Sequence, residues 1–131
     1  MSNSNTTLAS KIQNIEDKSL EKFTVRAQEN ADLQALAARH PEFVHALIKE
    51  QVQQRLLNHS FTLESTLSQQ DAANEQITLQ EKAQALLGAD YDAKLVNAAI
   101  ALGNSVTTRT VSASVNNELQ GTRKFGAALA R

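Results

Sequence analysis

The sequence predicts an all-α fold, an elongated helical bundle of about four to five helices whose C-terminal helices are long. Three observations predict it. One Pro and four Gly are the only strong helix breakers in 131 residues. Ala, Leu, Gln, Glu and Lys, which favour helices, are abundant, and apolar residues recur at spacings of three and four. We expect a single domain over 1–131 that comprises a polar arm at 1–7, N-terminal helices over 8–58 and a helical hairpin over 61–131.

The first predicted helix begins at Leu8, with Thr7 as its N-cap. Ser19 is a point at which this helix can bend or restart. The element ends at His40-Pro41, because proline disfavours helical backbone at the residue before it and suits the first turn of the next helix. Its apolar residues form successive stripes: Leu8, Ile12 and Ile15, then Leu20, Phe23, Ala27 and Ala31, with Leu33 and Leu36 on the opposite side.

Residues 41–57 have the strongest apolar character of the chain. Their apolar side chains cover more than half of the helix circumference, so this helix needs neighbours on more than one side. We therefore predict that 41–57 is the central core helix, and that the polar residues Asn58-His59-Ser60 break the helix after it. The apolar residues of the core helix are Phe43, Val44, Leu47, Ile48, Val52, Leu56 and Leu57.

The predicted hairpin over 61–131 has a first arm at 61–87 and a turn at Gly88-Ala89-Asp90, where glycine ends one helix and aspartate caps the next. The second arm carries two apolar stripes that lie about 180° apart on a helical wheel. Either the helix breaks near 103–110, or one long helix packs against different partners in its two halves. Residues 106–111 are rich in β-branched side chains, so a short irregular or strand segment is the alternative to helix there.

The composition argues against an enzyme. The chain has no Cys, which removes disulfides, zinc–thiolate sites and thiol nucleophiles. It has no glycine-rich phosphate loop, and His40 and His45 have a spacing that fits neither a helical metal pair nor HExxH. Asp90-Tyr91-Asp92 resembles a two-carboxylate metal clip, but helix initiation explains it better, with Asp90 as N-cap and Asp92 in the first turn. We predict no catalytic, cofactor-binding or metal-binding residues, and no cofactor.

Large apolar side chains are scarce. Leu, Ile, Val and Phe together total 32 residues, whereas Ala alone totals 20. Small side chains bury little area each, so a monomer that relied on them would be marginally stable. Packing of several copies through helix–helix contacts, as in coiled coils, would recover the missing burial. The residues predicted to mediate this self-association are Leu95, Ala99, Leu102, Val106, Val111, Val115 and Leu119.

The C-terminal part carries a small basic patch. Residues 89–131 have a net charge of +2, whereas residues 40–88 have a net charge of −3. A solvated helix end that complements the helix dipole is the simpler interpretation of this patch. The net charge of the whole chain is −1, which argues against general phosphate binding. The candidate contacts with phosphate or an acidic partner are Arg109, Arg123, Lys124 and Arg131.

The leading hypothesis is a non-enzymatic helical assembly subunit that forms a homo-oligomer. In composition the chain resembles small Ala-, Gln-, Ser- and Asn-rich helical subunits of phage virions and of bacterial secretion or conjugation machines. The alternatives are a small helical adaptor, chaperone or inhibitor that binds another protein, and a nucleic-acid accessory protein that uses the basic patch. The sequence shows no signal-peptide pattern and no apolar stretch long enough to span a bilayer. We therefore expect a soluble, cytoplasmic protein that can enter a larger assembly such as a virion.

Overall fold

The computed structural model describes residues 8–117 of the chain, and all regular structure within them is helical. The predicted all-α bundle is therefore confirmed. Within residues 8–117, every helix is too short or too polar to cross a membrane. The helices are α1 (Leu8–Ala27), α2 (Ala31–Arg39), α3 (Pro41–Thr62), α4 (Gln69–Leu87) and α5 (Ala93–Asn117), with one 3₁₀ turn at Gly88–Asp90 between α4 and α5.

The predicted first element is divided into two helices. Helix α1 covers Leu8–Ala27 within the described residues and runs through Ser19 without a break, so the predicted bend or restart there is wrong. The chain instead turns after α1, because the Asn30 side chain caps α2 by accepting hydrogen bonds from the backbone N–H groups of Asp32 (3.0 Å) and Leu33 (3.3 Å). The predicted stop at His40-Pro41 is confirmed. Thr7 lies outside the described residues.

Helix α3 continues five residues past the predicted end of the core helix, so the break predicted at 58–60 is wrong. The side-chain amide of Asn58 donates to the backbone carbonyls of Glu64 (2.8 Å) and Thr66 (2.9 Å), and thereby holds the following loop against the helix end. The loop covers 63–68, which the sequence assigned to helix. Helix α4 then begins after Ser68, whose hydroxyl accepts from the Asp71 N–H (3.2 Å).

Helix α5 is continuous from Ala93 to Asn117, so neither a break at 103–110 nor a strand at 106–111 occurs. It contacts each of the other four α-helices. A single helix with several neighbours needs apolar residues on more than one face, which explains the two stripes seen in its sequence. The predicted residues 118–131 of this arm lie outside the described part of the chain.

Helices α3 and α5 form the centre of the bundle and run in the same direction. The Gln51 amide of α3 donates to the backbone carbonyl of Ile100 (3.0 Å), and one turn later Arg55 donates to Thr108 (3.3 Å). The core-helix prediction for 41–57 is confirmed for most of its apolar residues, but Leu56 is only half-buried and Leu57 is exposed. The fully buried apolar residues of α3 are Phe43, Leu47, Ile48 and Val52.

A buried polar cluster, which we call the Arg55 cluster, joins α3, α4 and α5. The Arg55 side chain is 1% exposed and forms a bidentate ion pair with Glu75 of α4, at 2.6 and 3.0 Å. It also donates to the Gln51 carbonyl (3.0 Å), to Thr108 and to Asn104 of α5. All five N–H donors of the guanidinium therefore have acceptors. Because an unpaired buried charge is costly, this cluster fixes the register of the three helices.

Gly103 lies where α5 approaches the cluster most closely. A Cβ atom at this position would overlap the Oε1 atom of Gln51, which is fully buried. The backbone there is ordinary helix, so a larger residue at this position would meet no backbone penalty, but the buried Gln51 side chain would have to shift.

Candidate association surface

Three large apolar side chains are exposed together at the C-terminal end of α3. Leu57 is 53% exposed, Phe61 is 79% exposed and Leu63 is 68% exposed. Leu57 and Phe61 are four residues apart on one helix, so their side chains are neighbours on its surface. We call Leu57, Phe61 and Leu63 the α3 ridge. Single exposed apolar residues are ordinary, but a contiguous group of large ones is typical of contact surfaces.

Leu63 ends α3 in the left-handed backbone conformation, with φ 65° and ψ 20°. Glycine or asparagine adopts this conformation readily, whereas a bulky residue meets a steric penalty of roughly 1–2 kcal/mol. The Leu63 N–H nevertheless closes the helix by donating to the His59 carbonyl at 2.8 Å. The strained backbone thus places a large apolar side chain in solvent at a position where a small residue would fit better.

The segment that carries the ridge is held by local hydrogen bonds. Besides the two bonds from Asn58 to the loop, the Thr62 hydroxyl donates to the Asn58 carbonyl (2.9 Å), and the Glu64 N–H donates to the Thr62 hydroxyl (3.3 Å). These bonds hold the backbone that carries the ridge, so binding would require little backbone ordering, which reduces the entropic penalty of association.

The residues predicted for self-association lie elsewhere. Leu95 and Leu102 are half-buried and pack against the core of the same chain, and Leu119 lies outside the described residues. The other four predicted residues are buried in the core, so a second chain could reach them only if the core opened. A surface for association therefore has to be sought on other residues. The residues that are no more than 2% exposed are Ala99, Val106, Val111 and Val115.

The α3 ridge was not predicted from the sequence. Leu57 was expected in the core, and Phe61 and Leu63 were expected in the next helix. A signal was present in the spacing of Leu57 and Phe61, which continues one helical face past the buried stripe of α3. The assumed break at 58–60 concealed this continuity.

Of the predicted basic contacts, Arg109 lies within the described residues, and Arg123, Lys124 and Arg131 lie outside them. Arg109 is exposed and lines a groove of about 300 Å³ between α1 and α5. We call this the α1–α5 groove. Its lining residues are Glu21, Lys22, Val25, Arg26, Val106 and Arg109.

A second charged region lies where α2 meets α3. The Nε2 atom of His40 lies 2.8 Å from Oδ2 of Asp90, and its Nδ1 atom lies 3.3 Å from Oε2 of Glu42. The hydrogen bond to Asp90 is the main reason that the pKa of His40 is raised, and the same bond, together with Arg39 at 3.1 Å, lowers the pKa of Asp90. Both ring nitrogens face carboxylates, so this histidine connects elements and has no free nitrogen for proton transfer.

The prediction that Asp90 is the N-cap of the last helix is wrong. Asp92 caps α5, since its Oδ1 atom accepts from the N–H groups of Lys94 (3.0 Å) and Leu95 (3.2 Å). Asp90 is thereby free to pair with Arg39 and His40. In the part of the chain that the structure describes, no group of three or more His, Asp or Glu side chains is arranged to hold a metal ion.

A groove of about 630 Å³ borders the junction of His40 and Asp90. Asp32, Asp90 and Asp92 line it together with Arg39 and Lys94, so acidic and basic groups are mixed. This mixture selects no single class of ligand. The α3 ridge is therefore the surface with the clearest chemical preference, which is for another apolar protein surface. Comparisons of the chain with protein-family models, with curated proteins and with solved structures find no match.

Proposed function

We propose that the chain is a non-enzymatic subunit of a helical assembly, and that its copies associate through the α3 ridge. The observation that carries this proposal is the exposure of three large apolar side chains at the end of α3, two of which are neighbours on one helix face. Burying such side chains in a contact removes them from water, which contributes about 1.5–3 kcal/mol for each one that is fully covered.

The backbone of Leu63 supports the same proposal. A bulky residue in left-handed conformation lowers the stability of the isolated chain, and no contact within the described residues covers its side chain. A contact with another copy would offset this loss. The intrachain burial of the predicted self-association stripe is compatible with this role, because a subunit can then fold before it associates.

Light scattering coupled to gel filtration tests the proposal on the full chain. The wild type at tens of micromolar should have a mass above the 14.3 kDa of one chain. The double variant Leu57→Gln/Phe61→Gln should elute with the mass of one chain, because it removes two of the three apolar side chains of the ridge while keeping helix-forming residues.

The matched control is Ile77→Gln/Leu86→Gln, which removes two exposed apolar side chains from α4, at 54% and 40% exposure. This control should keep the mass of the wild type, and circular dichroism should show equal helix content in all three proteins. A wild type that stays monomeric at these concentrations would contradict self-association. The ridge would then be a binding surface for a different protein. A ridge variant that associates like the wild type would contradict the role of the ridge.

A further inference from the structure

We infer that copies of the chain associate head to tail, with the α3 ridge of one copy docking in the α1–α5 groove of the next. This inference rests on the proposed function and adds the identity of the receiving surface. The two surfaces are built by different helices, and both are exposed on the same molecule. A contact between two different surfaces is heterologous, so it extends into a filament or closes into a ring.

The α1–α5 groove has one exposed apolar side chain and a cationic rim. Val25 forms an apolar wall with 58% exposure, whereas Val106 between the two helices is buried. Lys22, Arg26 and Arg109 surround these residues. None of the three cations forms a hydrogen bond or ion pair with another of residues 8–117, so their charges are not neutralised within the described part of the chain.

The ridge carries the complementary features. Its apolar side chains match the exposed Val25 in the wall of the groove, and the exposed Glu64 directly follows Leu63. The Glu64 carboxylate forms no ion pair within residues 8–117. Three cations and Glu21 give the groove a net positive charge, so a surface that is apolar and acidic suits it.

A ridge-to-ridge contact between two copies is less favourable electrostatically. Residues 57–64 contain Glu64 and no Lys or Arg, so such a contact would bring two like charges together with no cation among these residues. Docking in the groove instead brings Glu64 near Arg26 or Arg109. The charges therefore favour docking of the ridge in the groove of a second copy over contact between two ridges.

Complementation of two variants tests the inference. The ridge variant is Leu57→Gln/Phe61→Gln, and the groove variant is Val25→Glu/Arg109→Glu, which changes exposed residues of α1 and α5. Each variant alone should have the mass of one 14.3 kDa chain. An equimolar mixture should form a species of two chains, because the intact ridge of the groove variant meets the intact groove of the ridge variant.

A charge exchange gives a second readout. Glu64→Arg should weaken association about tenfold, and combining it with Arg109→Glu should restore most of the loss. A wild type that associates while the groove variant associates equally well would overturn the head-to-tail arrangement and leave the proposed function standing. A mixture that contains no two-chain species would overturn it in the same way. A monomeric wild type would contradict both the head-to-tail arrangement and the proposed function.

Discussion

Leu63 affects stability and association in opposite directions. Its left-handed backbone lowers the free energy of unfolding, whereas its exposed side chain favours association. Replacing it by Gly relieves the left-handed backbone while raising the entropy of the unfolded chain. We expect Leu63→Gly to leave the free energy of unfolding unchanged or to raise it by up to about 1 kcal/mol, and to weaken self-association. Urea unfolding measured at low protein concentration gives the first quantity, and light scattering gives the second.

The control for this prediction is Leu63→Ala. Alanine removes most of the side chain but keeps the steric penalty of the left-handed backbone, so association should weaken without a gain in stability. A Leu63→Gly variant that is clearly less stable than Leu63→Ala would contradict the relief of backbone strain, and a Leu63→Ala variant clearly less stable than the wild type would show that the leucine side chain contributes to the fold of the single chain.

His40 should make stability depend on pH near neutrality. Its folded-state pKa is raised, chiefly by the hydrogen bond to Asp90, so the stabilisation is complete below the unfolded pKa of about 6.5. It is lost as the pH rises through the raised pKa of the folded state. Urea unfolding at pH 6 and at pH 8 should therefore show a larger loss of stability on raising the pH for the wild type than for His40→Gln.

The matched control is His45→Gln, since His45 is exposed and forms no hydrogen bond or ion pair with residues 8–117. This variant keeps the contacts of His40 with Asp90 and Glu42, so its loss of stability between pH 6 and pH 8 should exceed that of His40→Gln. Identical pH profiles for the wild type and His40→Gln would count against the junction as a source of pH dependence.

At the scale of the helices, the Arg55 cluster should contribute far more than any surface ion pair. Arg55→Met leaves the buried Glu75 without its partner, so we expect the free energy of unfolding to fall by about 3–5 kcal/mol. Lys82→Met breaks the exposed pair with Glu50, which spans 3.2 Å between α4 and α3, and should lower stability by less than about 1 kcal/mol. Denaturant unfolding of the two variants under one set of conditions makes the comparison, and similar losses would argue against the assigned role of the cluster.

The sequence predicts helix ends correctly where neighbouring residues determine them, and incorrectly where residues distant in the sequence determine them. Pro41 and Gly88 mark helix ends at the expected positions, because proline geometry and a glycine cap act locally. The loop at 63–68 was missed because Asn58 joins it to α3 through bonds that the local pattern does not reveal.

The same difference between local and distant residues explains how much of the candidate site could be predicted from the sequence. An apolar stripe on α5 predicts burial but does not distinguish the chain's own helices from those of another copy. The burial of Arg55 depends on Glu75, twenty residues further along, and on Asn104 in another helix. The exposure of Phe61 follows from where α3 ends, and the local pattern placed that end too early.

At the scale of the whole molecule, the packing of α5 against all the other helices predicts one cooperative unfolding transition. Tyr91 is the single Tyr of the chain, and it packs on the core at the connection between α4 and α5. Its fluorescence should change at the same urea concentration as the far-ultraviolet circular dichroism of the helices. An earlier fluorescence transition would show that the start of α5 separates from the rest before global unfolding.

The packing of the first helix on the last also determines when the core can form during synthesis. The apolar face of α1 is complete once Ala27 has been made, but its partner α5 ends about 90 residues later. At about 5–20 residues per second, a ribosome needs about 5–18 seconds for that distance. Until then Ile15 and Phe23, which the finished protein buries, lack one of the surfaces that cover them. Completion of the fold must therefore follow translation of the last helix, although α1 can pack on α2 and α3 before α5 is made.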